Sequence, residues 1–430
     1  MKGVACVILA AGEGKRMKSA YGKVSHHLGG RPIISYVIDA ARSLDPEKIV
    51  VVVGHDAERV KKAAGGDVEF ALQEEQRGSG HAVMQARPLF DDFEGDLLVA
   101  SGDVPLITGG TLGALLDAHR AAGAACTLLT AVLKDPTGYG RVIRRMKTGA
   151  PLKIVEEKDA DRFEKAVDEI NSGIYLFDAP ALMGVIDRIS PGNRQREFYL
   201  TDAVGILAAE KKRIEAVRAG DPEEVLGVNN RYELARMEGL LQQRIQRGHM
   251  LNGVTIVDPG KTYIEGTVEI GRDTVIYPFT VLTGPARIGS DCRVGPFSHV
   301  RPGTVIEDGA EVGNFVEVKS STIGRGTRAR HLSYIGDASV GARVNIGAGT
   351  ITANFDGKRK HRTEIGDGAF IGSGTTLIAP VRVGEGALTG AGSVVLSGRD
   401  VPDGGAVVGV PAAPLRRKVV KRARKSKGAR

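Results

Sequence analysis

The sequence predicts two folds in tandem: a Rossmann-like α/β domain with a mostly parallel sheet, then a left-handed parallel β-helix of hexapeptide repeats. Three observations carry this. Over residues 4 to about 220, short β-rich apolar runs alternate with amphipathic helical stretches, the pattern of a parallel sheet covered on both faces. From residue 264 onward an aliphatic side chain returns at every sixth position, the signature of a stacked coil. And 430 residues are too many for one ordinary core.

In the first half the apolar runs fall at residues 4–10, 48–53, 68–72, 96–100 and 125–132. Each is nearly continuous, as a strand buried on both faces requires. Between them one helix opens at Pro32, a favoured first-turn residue, and runs through Ile33, Val37, Ile38 and Ala41. Others cover about 56–64, 80–88 and 110–121. Residues 230–247 read as one amphipathic helix, capped by Asn230, with Leu234, Met237, Leu241 and Ile245 as its stripe and Gly248 as its end. The domains then read as 1–228, a linker helix at 229–250, a β-helix at 251–410 and a basic tail at 411–430.

The six-residue period holds for Ile264, Ile270, Ile276, Leu282, Ile288, Val294, Val300, Ile306, Val312 and Val318, and resumes at Ile323, Ile335, Ile346, Ile365, Ile371, Leu377 and Val383. Glycine often follows the aliphatic residue, as at Gly271, Gly289, Gly295, Gly313, Gly324, Gly336, Gly347, Gly366, Gly372 and Gly384, and is expected to supply positive φ at the corners. Of the 58 glycines, 29 lie in residues 251–410, so the repeat explains half of an unusual glycine content. The one long break, residues 352–364, is polar and basic; a loop extruded from such a stack reaches a ligand or an adjacent subunit, or is idle decoration.

Composition removes several functions. Net charge is +8, yet residues 411–430 hold nine Lys/Arg and no acid, leaving 50 basic against 51 acidic residues. The basicity belongs to the tail, where it is either a solvated end or a contact for anionic ligands, and no nucleic-acid partner is expected. Trp is absent and aromatics are 5%, which argues against a base-stacking surface. Three cysteines without CxxC spacing fit neither a disulfide framework nor a zinc site and point to a reducing cytoplasm. No apolar run reaches the roughly 18–20 residues of a membrane span, so membrane insertion is not expected. Residues 4–11 read as a buried strand, not a signal peptide.

The first strand runs into Gly12-Glu13-Gly14, a loop whose backbone N–H groups can face phosphate, with Arg16 and Lys23 adding charge. It is not a P-loop, and Met17 stands where a dinucleotide fingerprint has its third glycine. Alone it reads equally as an ordinary strand–helix turn. The run from Leu9-Ala10-Ala11-Gly12 to Lys15-Arg16-Met17, with Lys23, resembles the signature of sugar-1-phosphate nucleotidyltransferases. Gln73 with Gly78-Ser79-Gly80-His81-Ala82, Gly102-Asp103-Val104-Pro105-Leu106, Asp135-Pro136-Thr137-Gly138-Tyr139-Gly140-Arg141, Val155-Glu156, Glu169-Ile170-Asn171-Ser172-Gly173-Ile174, Tyr199-Leu200-Thr201-Asp202 and Gly227-Val228-Asn229-Asn230-Arg231 follow in order. Ahead of a hexapeptide domain, they make the chain, to about residue 411, resemble the bifunctional bacterial GlmU-type family, which joins N-acetylglucosamine-1-phosphate uridylyltransferase to glucosamine-1-phosphate N-acetyltransferase.

The resemblance implies acetyl-CoA-dependent acetylation of glucosamine-1-phosphate, then Mg²⁺-dependent uridylyl transfer from UTP, releasing pyrophosphate and yielding UDP-N-acetylglucosamine for peptidoglycan and lipopolysaccharide. Attack of a sugar phosphate on an α-phosphorus demands that several anions be aligned and neutralised. By resemblance Asp103 and Asn229 hold Mg²⁺, and Arg16 and Lys23 are the catalytic cations. Leu9, Ala10, Ala11, Gly12, Gly14, Gln73, Gly78, Ser79 and Ser101 contact the nucleotide, the Gln73 amide offering uracil a donor and an acceptor. Gly140, Glu156, Asn171 and Thr201 hold the N-acetylated sugar phosphate. Singly, Asp103 could be a turn acid, Asn229 a helix cap and Glu156 a solvated charge; it is their joint order that speaks.

In the second half, Arg301-Pro302-Gly303-Thr304, Gly313-Asn314-Phe315-Val316-Glu317-Val318-Lys319, the run His331 to Asp337, the run Asn345 to Thr350, Asn354-Phe355-Asp356-Gly357 and Phe370-Ile371-Gly372-Ser373 resemble the acetyltransferase centre. An amine attacking a thioester must lose a proton, and an imidazole suits that task near neutral pH; His331 is the candidate base. Arg301, Lys319, Tyr334 and Asn345 are implied to bind glucosamine-1-phosphate, and Ala348, Asn354, Phe355, Ser373 and Ala391 to bind acetyl-CoA. A homotrimer is implied as well.

The chain departs from the family pattern at Lys15 (usually Thr), Gly22 (Pro), Ser101 (aromatic), Phe355 (Tyr) and Gly409 (Arg), and its β-helix reads as about one 18-residue coil short between residues 288 and 301. Gly22 in particular predicts a looser loop under Lys23. These bear on rate and affinity more than on reaction type. Two alternatives stay open: a uridylyltransferase whose β-helix is only a trimerisation platform, and a non-catalytic scaffold. His331, Lys319 and Asn345 argue against the first, and Arg16, Lys23, Asp103 and Asn229 against the second.

Overall fold

The alternating apolar runs become a nine-stranded sheet in the computed structural model, which describes residues 2–415; the basic run from residue 416 lies outside the described residues. The chain divides into two compact units between Leu241 and Gln242. In the first the strands are β1 (Val4–Leu9), β2 (Lys48–Val53), β3 (Glu69–Leu72), β4 (Asp96–Ser101), β5 (Cys126–Val132), β6 (Arg141–Arg144), β7 (Pro151–Val155), β8 (Glu169–Asp178) and β9 (Ile214–Arg218). Their order is β9-β5-β8-β4-β1-β2-β3. Only β8 runs against its neighbours in that path, and the β6–β7 hairpin hangs from it. In β2, Val50 and Val52 enter the core on one face while Val51 and Val53 enter the core on the other, which is why the strand is apolar at consecutive positions. β1 lies between β2 and β4, with Leu9 opposite both Val52 and Ser101. The carboxyl ends of β1 and β4 therefore adjoin, where open α/β sheets bind ligands.

Helices Ile33–Arg42, Ala57–Ala64, Ser79–Ala86 and Gly109–Ala122 fill the crossovers. The predicted interdomain helix spans Arg231–Leu251. Asn230 caps it as expected, its Oδ1 accepting from the Glu233 N–H at 2.9 Å. Gly248, however, does not end it. The end is set at Gly253, φ +92°, where Val254 N–H donates to His249 O and Gly253 N–H to Met250 O, both at 3.1 Å. This is a Schellman closure, which needs the left-handed residue one step beyond the helix; Gly248 merely sits in the last turns.

The second unit is a stack of three-sided coils, each side a column of short strands that pair in parallel, save the last pair of one column, Val407 with Pro414, which is antiparallel. Strands pair eighteen residues on, as Ala286 with Thr304 and Val281 with His299. The step shortens to seventeen where Glu311 pairs with Arg328 and Arg328 with Asn345, and lengthens to twenty-five where Asn345 pairs with Phe370 across the insertion. Pairing is unbroken through residues 288–301. The repeat aliphatics form one buried column, with Ile270 packed at its margin.

The expected role of the corner glycines is corrected. Among those that follow the aliphatic residue, only Gly295 has positive φ. Most of the others are needed because coils approach too closely for a side chain: a Cβ on Gly366 would lie 2.5 Å from the Glu385 nitrogen, and one on Gly372 2.6 Å from the Gly390 carbonyl carbon, whereas at Gly336 it would meet the Tyr334 ring of its own strand. Left-handed φ falls instead on separate corner columns: one runs through Phe279, Phe297, Phe315 and Leu332 before it reaches Gly349, Gly374 and Gly392, and another through Asp273, Asp291, Gly309, Gly326, Arg343, Gly368 and Gly386.

Candidate functional site

In the first unit the loop after β1 and the end of β4 border a cavity of about 440 Å³. Leu9, Ala10, Ala11, Gly12, Gly14, Lys23, Gln73, Gly78, Ser79, Ser101 and Asp103 line it, together with Glu13, Gln76 and Glu197, which sequence reasoning missed. Gly14 permits the geometry: its φ is +64° and a Cβ there would lie 2.7 Å from Lys23 Cβ.

Four anticipated residues meet beside this cavity. The Lys23 ammonium donates to Asp103 Oδ2 and, at 3.3 Å, to Asn229 Oδ1. Arg16 donates to the same Asn229 oxygen at 2.9 Å. Ser101 Oγ donates to Asp103 Oδ1 at 2.6 Å, so the residue that departs from the family pattern orients the carboxylate. Burial pushes the Asp103 carboxyl up, but the Lys23 charge and the hydrogen bonds from Lys23 and Ser101 outweigh it and hold the group below the usual carboxylate range. Glu233 was not anticipated: its Oε2 accepts from Asn229 N and Nδ2 at 2.8 and 3.1 Å, turning Oδ1 toward the two cations. A carboxylate in the first turn of the helix was the available signal. Gly22 does not leave Lys23 on a free loop, because its N–H donates to Asp56 Oδ2 at 2.9 Å, a bond that proline could not make. Lys15 pairs with Glu13 at 2.8 Å on the surface.

Asp103 Oδ2 and Asn229 Oδ1 are two hard oxygens sharing one cation, the Lys23 ammonium. Mg²⁺ takes one or two protein oxygens and fills its remaining positions with water and phosphate, so this donor set fits it. No group of three His, Cys, Asp or Glu residues forms a closed metal cage among the described residues.

Gly140, Glu156, Asn171 and Thr201 form a second cluster. Thr201 Oγ1 donates to Glu156 Oε1 at 3.4 Å, Asn171 N–H to Gly140 O at 2.8 Å, and Asn171 Nδ2 to Tyr175 OH at 2.7 Å. Burial holds the Glu156 carboxyl above its ordinary range. Leu200 N–H donates to Ser79 Oγ at 3.0 Å, tying this cluster to a residue that lines the cavity.

On the β-helix the anticipated residues are laid out, not gathered. Arg301 donates to Glu317 Oε1 at 2.7 Å. Asn354 Nδ2 donates to Asp337 Oδ2 and, at 3.5 Å, to Tyr334 OH. Ala348, Ser373 and Ala391 share one corner column, Gly374 N–H donating to Ala348 O and Gly392 N–H to Ser373 O, each at 2.7 Å. Asn345 stands on another column between Arg328 and Phe370. The His331 ring is exposed and makes no hydrogen bond among the described residues. The insertion is a tight hairpin: Phe355 pairs with Lys360, and Asp356 is drawn down to about 2 by the Arg359 N–H, His361 and the Lys358 N–H. Lys360 was not singled out by the sequence. Its ammonium faces Lys319 and holds that lysine below its usual range. Gly409 has φ +96°, a conformation that suits glycine and not the family's arginine.

Two domain families match the chain: the MobA-like NTP transferase domain over residues 6–164, and the bacterial transferase hexapeptide (six repeats) over residues 285–320 and 362–397. Among curated relatives, the "Bifunctional protein GlmU" of Pelotomaculum thermopropionicum is 48% identical over 411 residues, 88% of this chain and 90% of that protein. The protein of the same name from Brevibacillus brevis is 46% identical over 441 residues, 95% of each. One from a Geobacillus species is 48% identical over 410 residues, 88% of this chain and 89% of that protein.

Proposed function

The chain belongs to the bifunctional GlmU family, and on that premise we propose how its residues divide the family's two reactions. It is an enzyme of UDP-N-acetylglucosamine synthesis, acetylating glucosamine-1-phosphate from acetyl-CoA and transferring a uridylyl group from UTP to the product.

In the first unit the Gly12–Gly14 backbone, Arg16 and Lys23 receive the triphosphate, with Lys23 exchanging its carboxylate partner for phosphate. Gly140, Glu156, Asn171 and Thr201 hold the sugar phosphate so that its oxygen meets the α-phosphorus in line. Arg16 and Lys23 stabilise the charge that builds on the departing pyrophosphate. Asp103 and Asn229 hold Mg²⁺, which supplies further neutralisation of phosphate charge. In the second unit His331 takes the proton of the attacking amine; Arg301, Lys319 and Lys360 receive the phosphate; Tyr334 and Asn345 orient the sugar. Ala348, Asn354, Phe355, Ser373 and Ala391 border acetyl-CoA.

The observation that carries the assignment is the convergence of Arg16 and Lys23 on Asp103 and Asn229 beside the nucleotide-sized cavity. Each half-reaction is to be followed separately. Asp103→Ala loses uridylyl transfer and keeps acetyl transfer, and His331→Ala does the reverse; a variant that lost both or neither would refute the division.

We further propose a homotrimer through the β-helix. Support comes from Phe279, Phe297 and Phe315, which stack at 4.8 and 5.0 Å along one corner with about half of each ring exposed. No helix among the described residues is long and apolar enough to cross a membrane, and Cys6, Cys126 and Cys292 are free and buried, which supports a cytoplasmic enzyme.

A further inference from the structure

We propose that His81 is a positioning residue that makes the nucleotide cavity select uracil over cytosine, by fixing which end of the Gln73 amide faces the base. The inference rests on reading that cavity as the UTP site.

Gln73 is only 3% exposed and lines the cavity. Its Nε2 donates to the Gly78 carbonyl at 3.1 Å and lies 3.0 Å from His81 Nδ1. A carbonyl oxygen only accepts, so Gly78 dictates that the amide's nitrogen, not its oxygen, points there. The second N–H of the same nitrogen then meets Nδ1, which must carry a lone pair, so His81 is the Nε2–H tautomer. The ring is kept in place by Phe198, 6.1 Å away between centroids; its Nε2 lies 3.4 Å from the amide nitrogen of half-exposed Gln85, and the Nε2–H tautomer requires that amide to turn its oxygen to the ring.

Both amide protons of Gln73 are thereby engaged. What it offers the cavity is Oε1, an acceptor without a partner among the described residues, and not the donor and acceptor expected from sequence. Beside it the Gly78 N–H, at the start of helix Ser79–Ala86, makes no hydrogen bond among the described residues and supplies a donor. An acceptor next to a donor complements the N3–H and carbonyl edge of uracil. Cytosine presents the inverse, a lone pair at N3 and an amino group, and would leave both groups unpaired; sites of that kind discriminate strongly. Without His81 the second amide proton loses its acceptor and only the Gly78 carbonyl still opposes the turned amide, so the form that presents N–H to the base, and favours cytosine, gains population.

The test compares kcat/KM for UTP and CTP, and the binding of each nucleotide by calorimetry, in wild type, His81→Leu and His81→Asn. Leu fills the space without an acceptor, whereas the Asn oxygen can occupy the place of Nδ1. Leu is expected to lower the UTP:CTP ratio at least tenfold, mainly through KM, and Asn to restore most of it, with acetyl transfer serving as the fold control. An unchanged ratio in His81→Leu, or equal losses toward both nucleotides in both variants, overturns the proposal. Should wild type bind neither nucleotide, the UTP-site reading falls and takes this inference with it; a wild type that discriminates and a Leu variant that also does so removes the role of His81 alone.

Discussion

The two units build sites in opposite ways. The α/β unit folds distant segments onto one cavity: Arg16 and Asn229 are 213 positions apart yet 2.9 Å in space. Opposing charges there are buried together, so each side chain is fixed by its partner. The β-helix cannot do this, because a residue in one coil meets mainly its counterparts one coil above and below. The residues we propose for acetyl transfer are spread over several columns, and the His331 ring makes no hydrogen bond among the described residues. A sheet with crossovers brings its site together within one chain; in the proposed trimer, a solenoid would present columns that a neighbouring copy completes.

The sharpest break between the units is chemical. Lys23→Ala is expected to lower uridylyl transfer by about a thousandfold, the scale for losing a preorganised charge, while acetyl transfer is unchanged in the same preparation. Next is complementation. Chains carrying Asn345→Ala, mixed and reassembled with chains carrying Lys319→Ala, should recover part of the acetyl activity that each lacks. A mixture of Asp103→Ala and Glu156→Ala chains should recover no uridylyl transfer. Recovery in the second mixture and none in the first would invert the comparison.

A smaller effect is expected at the insertion. Lys360→Ala should raise KM for glucosamine-1-phosphate about tenfold, the worth of one charge-assisted hydrogen bond, with KM for UTP unmoved. At Glu156 the sign can be worked out. Its folded carboxyl is held above the ordinary range by burial, so between the unfolded and folded values the native state binds more protons than the unfolded state. Stability therefore falls as pH rises through that window. Glu156→Gln should raise Tm at pH 7 and leave it little changed below pH 4, while weakening sugar phosphate binding. The smallest effect belongs to the interdomain helix. Gly248 has open space around its Cα, so Gly248→Ala should stabilise by roughly 0.5–1 kcal/mol. Gly253→Ala, at φ +92°, should destabilise by about 1–2 kcal/mol. Denaturant melts of the pair distinguish the helix end from its interior.

Much of this was legible beforehand. Consecutive apolar residues announced β1, β2 and β4, and the six-residue period announced the coil, because both patterns record burial directly. The lining of the cavity that we read as the nucleotide site was legible through motif order, since most of it comes from three short segments. Less legible were Glu233 and Lys360, which no motif singled out, and the place of His81, which the motif at residues 78–82 contains without showing what its ring faces. The corner glycines were read as turns when most are close contacts, because a sequence shows that a side chain is absent without showing what it would strike.

By itself, then, the sequence determined that there are two folds and how the charges divide between body and tail, and it marked the segments proposed for the chemistry. Only the tertiary structure decided that Lys23 and Arg16 converge on Asp103 and Asn229, that Gly253 ends the long helix, and that Gln73 turns its oxygen toward the cavity. Periodicity encodes burial, which is a property of each residue; orientation and convergence belong to pairs brought together across hundreds of positions, and the chain expresses them only once it has folded.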